Sequence, residues 1–228
     1  ELMYKGFVEL RDRIEELKRE AERINAGKSG KLSLGMLEGQ IIDNRLRGTL
    51  GYFRSVYPEL EIQLSRCSFR ELEERLMTGK LDMGITLTAE IASLAPLDHA
   101  PFQTLRNYLV LPKDHPLAKK DPLALSDLKD VPLLELDAEE CGNVSRTMIE
   151  CCRAVGFEPK LLRFSDLKSQ LFALEAGLGM MPLNENHMAC HNPNLTTREV
   201  EGLPIADFCI AWNRSNPNPA IQIFLEHL

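Results

Sequence analysis

The side chains best suited to metal chemistry lie close together near position 190. His187 and His191 are four residues apart, so a helix would place both imidazoles on one face, with Cys190 beside them. Imidazole and thiolate are ligands that zinc prefers. A structural zinc site also needs a fourth ligand, and none stands at a suitable spacing. We therefore expect no metal here.

Motifs for covalent catalysis and nucleotide binding are absent from the sequence. It contains no Gly-x-Ser-x-Gly elbow, no His-Glu-x-x-His and no dinucleotide-binding fingerprint. Gly27-Lys28-Ser29 is similar to the end of a phosphate-binding loop, but the leading glycine of that motif falls at Glu22, and a helical pattern precedes it. No nucleophile, base and orienting group stand in a convincing order. The sequence predicts no enzyme and no bound cofactor.

The overall charge argues against direct binding of nucleic acid by this surface. The 228 residues carry 34 Asp plus Glu against 27 Lys plus Arg, a formal net charge of -7, whereas a phosphate backbone selects a basic face. No apolar run reaches the roughly 18 residues of a membrane span, and no secretion signal is visible. The 6 cysteines include an adjacent pair, which is typical of reduced thiols. These features predict a cytoplasmic protein without a membrane partner.

The first segment, residues 1–27, has the pattern of a coiled-coil linker helix. Its apolar residues alternate steps of four and three, which keeps them on one narrow seam. A helix that packs on its own domain usually has a broader apolar face. The pattern therefore favours a dimerisation helix, with packing on its own domain as the alternative. The seam consists of Met3, Phe7, Leu10, Ile14, Leu17, Ala21 and Ile24.

From residue 31 onward, β-like and helical segments alternate twice in the same order. This order predicts parallel crossovers with helices on both faces of a sheet. The sequence therefore predicts an α/β protein with two doubly wound, Rossmann-like lobes. The first set comprises strands 32–37, 60–64 and 83–87 with helices 40–56 and 70–78. The second comprises strands 131–136, 160–164 and 178–181 with helices 144–155 and 166–176.

Two further β-like segments, 107–111 and 208–212, are predicted to carry the chain between the lobes. A final apolar helix then completes the first lobe. Ligands of open parallel sheets bind beyond the carboxyl ends of the strands, so two facing lobes predict a cleft for a small molecule. The predicted divisions are lobe 1 over 31–110 and 213–228, and lobe 2 over 111–212.

Short motifs along the chain resemble those of LysR-type transcriptional regulators. Their order and intervals, behind a linker helix, extend this resemblance over essentially the whole chain. The first lobe contains Gly35, Tyr57-Pro58-Glu59-Leu60 and Gly79-Lys80-Leu81-Asp82-Met83-Gly84-Ile85. The second contains His115-Pro116-Leu117-Ala118, Leu125-Ser126-Asp127-Leu128 and Ala176-Gly177-Leu178-Gly179-Met180-Met181-Pro182.

The resemblance implies a type 2 periplasmic-binding-protein-like fold with two crossover strands. It implies the effector-sensing and oligomerisation region of a bacterial regulator, which binds a small-molecule inducer between its lobes and forms a homodimer or homotetramer. Contact with DNA would be made by a winged helix-turn-helix domain preceding the linker helix. The sequence starts within a helical pattern, so we expect that domain to be missing from this chain. A solute-binding protein of a transporter is the alternative from another class.

The resemblance also implies which turns line the effector cleft. Gln40, Ser68 and Asn143 could place helix N-termini around an anion, although Ser68 and Asn143 would serve equally well as plain helix caps. Glu38 and Asp137 would oppose a carboxylate, which favours a cationic or neutral effector. The expected cleft residues are Leu37, Glu38, Gly39, Gln40, Ser68, Phe69, Thr86, Leu87, Asp137, Asn143 and Phe164.

A thiol-based redox sensor is a further alternative. Some LysR-type regulators sense oxidants through a cysteine in the turn where Cys141 lies, which pairs with a second one in the next helix. Cys151 follows at a suitable distance in sequence. However, Glu139 and Glu140 precede Cys141 and would raise its thiol pKa, and no basic residue is adjacent to it.

Overall fold

The computed structural model describes residues 2–228, so Glu1 of the predicted linker helix lies outside the described residues. The helices are α1 (Leu2–Asn25), α2 (Asn44–Val56), α3 (Phe69–Met77), α4 (Thr88–Ile91), α5 (Ala138–Ala154), α6 (Leu167–Glu175) and α7 (Ala220–Glu226). The strands are β1 (Gly30–Leu37), β2 (Leu60–Cys67), β3 (Met83–Leu87), β4 (Leu97–Leu105), β5 (Asn107–Pro112), β6 (Leu123–Ala124), β7 (Leu133–Leu136), β8 (Leu161–Phe164), β9 (Met181–Asn184), β10 (Leu195–Arg198), β11 (Val200–Glu201) and β12 (Ala206–Asn213). Short 3-10 helices span Pro116–Lys119, Leu125–Leu128 and Met188–His191.

Lobe 1 is built on a five-stranded sheet in the order β2-β1-β3-β12-β4. Strand β1 pairs in parallel with β2 and β3, as the sequence predicts, whereas β12 runs antiparallel to β3 and β4. The sheet is therefore mixed. Helices α2, α3 and α7 contribute Phe53, Leu72 and Phe224 to one core with the strands. Burial of each such side chain stabilises the fold by about 1.5–3 kcal/mol.

Lobe 2 contains three groups of strands, of which the smallest is the parallel pair of β6 and β11. Strands β10, β5 and β9 form an antiparallel group, and β7 pairs in parallel with β8. A parallel bridge between Leu133 and Met180 joins the β7-β8 pair to the antiparallel group. Met148 and Cys152 of α5 pack into one core, and Leu174 of α6 packs into another. The prediction of two α/β lobes is confirmed.

The chain crosses between the lobes in two places, after β4 and before β12. Strand β5 pairs with the strands of lobe 2, and β12 pairs with those of lobe 1. The boundaries predicted after residues 110 and 212 therefore need correction, because 107–112 belongs to the sheet of lobe 2 and 206–213 to that of lobe 1. These segments are core strands: positions 208–211 are all buried.

Strand β4 is an element that the sequence pattern did not predict. It lies at the edge of the lobe 1 sheet and contains Pro101. Proline lacks a backbone N–H and is tolerated in sheets mainly at such edges. Its burial also follows no clean alternation, so the period-two signal of a half-buried strand is missing.

Helix α1 leaves its apolar seam uncovered by the described chain. The exposed fraction of the large seam side chains runs from 46% at Ile14 to 75% at Met3. The helix ends near Gly27, which has a φ of 67° and lies against the start of α7. Packing of the seam on its own domain is therefore wrong, and pairing with a second copy stays a prediction.

Candidate functional site

A cavity of about 780 Å³ lies between the two lobes. Lobe 1 contributes the turns that follow β1, β2 and β3, and lobe 2 contributes β7, β9 and the first turns of α5 and α6. Because β1, β2 and β3 are parallel, their carboxyl ends share one edge of the sheet, where ligands of such sheets bind. The volume lies within the range of small-molecule sites.

The predicted cleft residues divide into two sets. Those that line the cavity are Leu37, Glu38, Gln40, Ser68, Phe69 and Leu87. Those outside its lining are Gly39, Thr86, Asp137, Asn143 and Phe164. The second set lies in the same turns and strand ends, but several of its members make contacts within the protein. Thr86 is buried within β3, and Phe164 packs against the core of α6.

Gln40 does not start a helix, which corrects the prediction of a helix over 40–56. Helix α2 begins at Asn44, because the side chain of Asp43 accepts a 2.8 Å hydrogen bond from the backbone N–H of Leu46. Gln40 instead forms an isolated β-bridge with His187 of lobe 2. No free helix N-terminus therefore stands at Gln40.

Ser68 is the N-cap of α3. Its hydroxyl oxygen accepts a 3.2 Å hydrogen bond from the backbone N–H of Glu71. The capping role proposed from sequence is therefore confirmed. Since this acceptor satisfies one of the unpaired amides of the helix end, it also takes up part of the anion-binding capacity there.

Helix α5 differs from its predicted form over residues 144–155. It begins at Ala138 and is interrupted at Cys141, where φ is -148° and ψ is 59°. After the interruption, the N–H of Val144 donates to a carboxylate oxygen of Glu90 in lobe 1, at 2.7 Å. Asn143 is not the cap; its side-chain amide donates to the carbonyl of Ala89, at 3.0 Å. Residues from α4 and α5 therefore tie the lobes together beside the cavity.

His187 lines the cavity, although the sequence associated it only with zinc. Its ring lies against Gly39, whose φ is 76° and where an added Cβ would clash with Nε2. Burial lowers the pKa of His187 to about 4, so the imidazole is neutral at pH 7. Nδ1 accepts from the backbone N–H of Ala189 at 3.2 Å, which assigns the ring proton to Nε2.

Glu135 is a second lining residue that sequence reasoning missed. It lies on β7 and is only 8% exposed. One carboxylate oxygen accepts a 2.7 Å hydrogen bond from the hydroxyl of Ser145, while Oε1 is buried with no partner among the described residues. Burial raises the pKa of Glu135, partly offset by Ser145 and Arg163. The sequence does contain a signal for this residue: Glu135 is the one acid in the apolar run Leu133-Leu134-Glu135-Leu136. Acids are rarely buried, so an acid at such a position indicates a functional role.

Cys141 lines the cavity but has the environment of an inert thiol. Burial, followed by the neighbouring carboxylate of Glu90, raises its pKa strongly. Its Sγ donates to Glu90 at 3.6 Å. Since the thiolate is the reactive form, this environment disfavours the redox alternative. Cys151 lies further along α5, outside the cavity lining.

The sequence also raised the question of a metal. Among residues 2–228, no group of three or more His, Cys, Asp or Glu side chains is arranged to hold a metal ion. Cys190 donates its thiol proton to the carbonyl of Asn184 at 3.3 Å.

In that same described range, no helix combines the length and apolar character needed to cross a bilayer.

Comparison with known proteins gives a consistent family match. The model of the LysR substrate binding domain matches residues 25–228. The HTH-type transcriptional regulator AlsR of Bacillus subtilis (strain 168) is 27% identical over 212 residues, which cover 90% of this chain and 68% of AlsR. The uncharacterized HTH-type transcriptional regulator YnfL of Escherichia coli (strain K12) is 25% identical over 219 residues, covering 91% and 70% of the two chains.

Solved structures show the same architecture. The effector-binding domain of QuiR in complex with shikimate superposes with a TM-score of 0.74 at 15% identity, covering 87% of this chain and 95% of that one. Full-length CbnR in complex with its target DNA gives a TM-score of 0.74 at 20% identity, covering 100% and 81%. At these identities the likeness is one of fold.

Proposed function

The chain belongs to the LysR substrate-binding domain family, and we propose that the cavity between its lobes binds the small-molecule effector of a transcriptional regulator. The observation that carries this proposal is the cavity of about 780 Å³ whose wall is drawn from both lobes. A ligand there contacts both lobes at once. It can therefore stabilise one relative arrangement of the lobes over another, which is the requirement for regulation by binding.

The contacts between α4 and α5 supply an element through which binding would be transmitted. The Glu90 to Val144 and Asn143 to Ala89 hydrogen bonds cross from one lobe to the other beside the cavity. A ligand that changes the arrangement of the lobes would therefore act on these two hydrogen bonds. The regulator would work in the cytoplasm, and a winged helix-turn-helix domain preceding α1 would contact DNA.

Helix α1 is the proposed dimerisation element. Its large apolar seam residues are exposed in the described chain. Pairing of two copies along this seam would remove these side chains from water and hold two DNA-reading domains at a defined spacing. This pairing gives a homodimer, and a homotetramer would form through a further contact between two such dimers.

Ligand binding at the cavity is testable on the 228-residue chain by a thermal-shift screen against metabolites grouped by charge. A ligand that binds only the folded state raises the melting temperature by mass action. Thr147→Trp places a large ring at the cavity wall and should abolish the shift, whereas Arg146→Trp, on an exposed neighbour outside the lining, should retain it. Equal shifts in both variants would place the ligand elsewhere and contradict the proposal.

A further inference from the structure

Glu135, a residue of the cavity lining, has one carboxylate oxygen without a hydrogen-bond partner in the described chain. Its side chain lines the cavity and is 8% exposed. Ser145 donates to Oε2 at 2.7 Å, and Oε1 is buried with no hydrogen-bond partner in the described chain. An unpaired buried acceptor costs about 1–3 kcal/mol, and more when it is charged. The unpaired oxygen of Glu135 therefore lowers the stability of the protein unless another group pairs with it.

The helix N-termini beside the cavity are already occupied by acceptors of the chain itself. Ser68 caps α3, and Glu90 accepts from Val144 where α5 resumes. Asp166 caps α6 by accepting from the N–H of Ser169 at 2.9 Å. A ligand carboxylate would have to compete with these groups for the amides that usually hold anions.

The charges around the cavity point in the same direction. Among the described residues that line the cavity, Lys168 is the only lysine or arginine, and burial keeps His187 neutral. The acidic lining residues are Glu38, Glu135, Glu140, Asp166 and Asp207. An excess of acids around a cavity of low dielectric raises the local concentration of cations and opposes anions.

The remaining wall is largely apolar. Leu134 and Leu136 flank Glu135 in β7, and Met148 and Phe208 line the cavity from α5 and β12. Apolar walls of this kind accommodate a carbon skeleton, while a few polar groups fix its orientation. Glu135 is the polar group with a free, buried oxygen.

Resting on the proposed function, we infer that the effector carries a protonated amine on a compact apolar skeleton, and that its ammonium group pairs with the carboxylate of Glu135. The ammonium then supplies both the missing hydrogen bond and the opposite charge. Charge-assisted hydrogen bonds of this type are stronger than neutral ones. The site would therefore bind a carboxylate of the same shape more weakly than the amine.

The test is a calorimetric titration of the 228-residue chain with three probes that share one ring: cyclohexylmethylamine, cyclohexylmethanol and cyclohexanecarboxylate. The amine should bind at least about tenfold more tightly than the other two. Glu135→Gln should reduce amine affinity by about tenfold or more and leave the alcohol nearly unchanged. Glu150→Gln, on the exposed side of α5 and outside the cavity lining, is the matched control and should bind the amine normally. Because Gln has the shape of Glu, the variant should fold, which its melting temperature confirms.

The outcomes separate this inference from the proposed function. Preferential binding of the carboxylate or the alcohol, lost in Thr147→Trp, would overturn the amine assignment and keep the cavity as an effector site. Amine binding that is unchanged in Glu135→Gln would overturn the role of Glu135. Failure of the folded chain to bind any of the three probes, or any compound of the charge-sorted screen, would overturn both.

Discussion

The carboxylate of Glu90 in lobe 1 accepts a 2.7 Å hydrogen bond from the backbone N–H of Val144 in lobe 2. Cys141 donates its thiol proton to the same carboxylate oxygen at 3.6 Å. A carboxylate at the start of a helical segment is stabilised by unpaired amides and by the helix dipole. One side chain of lobe 1 therefore caps a helix of lobe 2, and the stability of that helix depends on how the lobes are arranged.

Replacement of this cap should loosen the two lobes. Glu90→Ala removes the acceptor of Val144, so we expect a loss of about 0.5–2 kcal/mol of stability, which is the usual range for a helix cap. Urea denaturation measures the loss, and small-angle scattering should show a larger radius of gyration. Glu90→Gln keeps an oxygen that can accept and should lose less. Unchanged stability and scattering in Glu90→Ala would show that the contact does not hold the lobes.

The repeated alternation of strand and helix allowed both lobes to be predicted, because parallel crossovers leave strong local signals. Pairing between distant segments leaves weaker ones. Strands β5 and β12 were recognised as strands but assigned to the wrong lobes, since an apolar run identifies a buried strand and not its neighbours. Strand β4 was missed because Pro101 and an irregular burial pattern hide an edge strand.

The turns around the cavity could be predicted in part for a related reason. Leu37 ends β1, and Glu38 and Ser68 directly follow the carboxyl ends of β1 and β2, which the alternation of strands and helices locates. His187 could not be found this way, because its position depends on a bridge between residues 40 and 187. Glu135 was overlooked inside an apolar run, although its rarity in such a place was visible.

Glu135 should reduce the stability of the unliganded protein near neutral pH. Burial raises its pKa in the folded state, so the folded chain holds this proton more tightly than the unfolded chain does. The stabilisation that comes from holding this proton is complete below the unfolded pKa of about 4.3. It is lost as pH rises through the higher folded pKa. Ser145 donates to its carboxylate and Arg163 favours its charge, while burial outweighs both.

Glu135→Gln should therefore have a higher melting temperature than the wild-type chain at pH 7, and this advantage should shrink on acidification to pH 4. Melting curves measured without ligand at several pH values test the trend. Glu150→Gln, at an exposed position, should follow the wild-type chain. A lower melting temperature for Glu135→Gln at pH 7 would mean that the carboxylate is part of the stable core.

Gly39 should tolerate no side chain. Its φ of 76° is unfavourable for other residues, and an added Cβ would clash with Nε2 of His187. We expect Gly39→Ala to lose about 1–3 kcal/mol of stability, from the left-handed backbone and the forced shift of the ring. Chemical denaturation measures it. Gly48→Ala, in α2 with no atom within 4 Å of the added carbon, should be neutral or slightly stabilising. Equal effects would show that the turn relaxes freely.

The exposed seam of α1 should determine oligomeric state. Leu10 and Leu17 are 61% and 48% exposed, and both lie on the seam. We expect the 228-residue chain to be a dimer or larger by light scattering, and a chain starting at Lys31 to be monomeric. Leu10→Glu combined with Leu17→Glu should give monomers, because charge is costly in a coiled-coil core. Glu20→Gln, outside the seam, should stay oligomeric. A monomeric wild-type chain would contradict the dimerisation role.

Cys141 should react slowly with alkylating agents in the folded protein. Burial raises its pKa above that of a free thiol, and the carboxylate of Glu90 adds to the effect. The thiolate is the reactive form, so iodoacetamide should modify Cys141 far more slowly in the native chain than in guanidinium. Glu90→Gln should speed the reaction, because it removes one source of the raised pKa.

Oxidation should likewise leave Cys141 and Cys151 unlinked in the native chain. The nine helical steps from Gly142 to Cys151 rise by roughly 13 Å at about 1.5 Å per residue, so the Cα atoms of Cys141 and Cys151 are roughly 10 Å or more apart even with the interruption at Cys141. A disulfide spans at most about 7 Å between Cα atoms. Peptide mapping without reductant after peroxide treatment tests this expectation. A peptide that links residues 141 and 151 would show that α5 unwinds during oxidation and would restore the redox alternative. Cys141→Ser, treated in the same way, is the control that identifies the linked peptide.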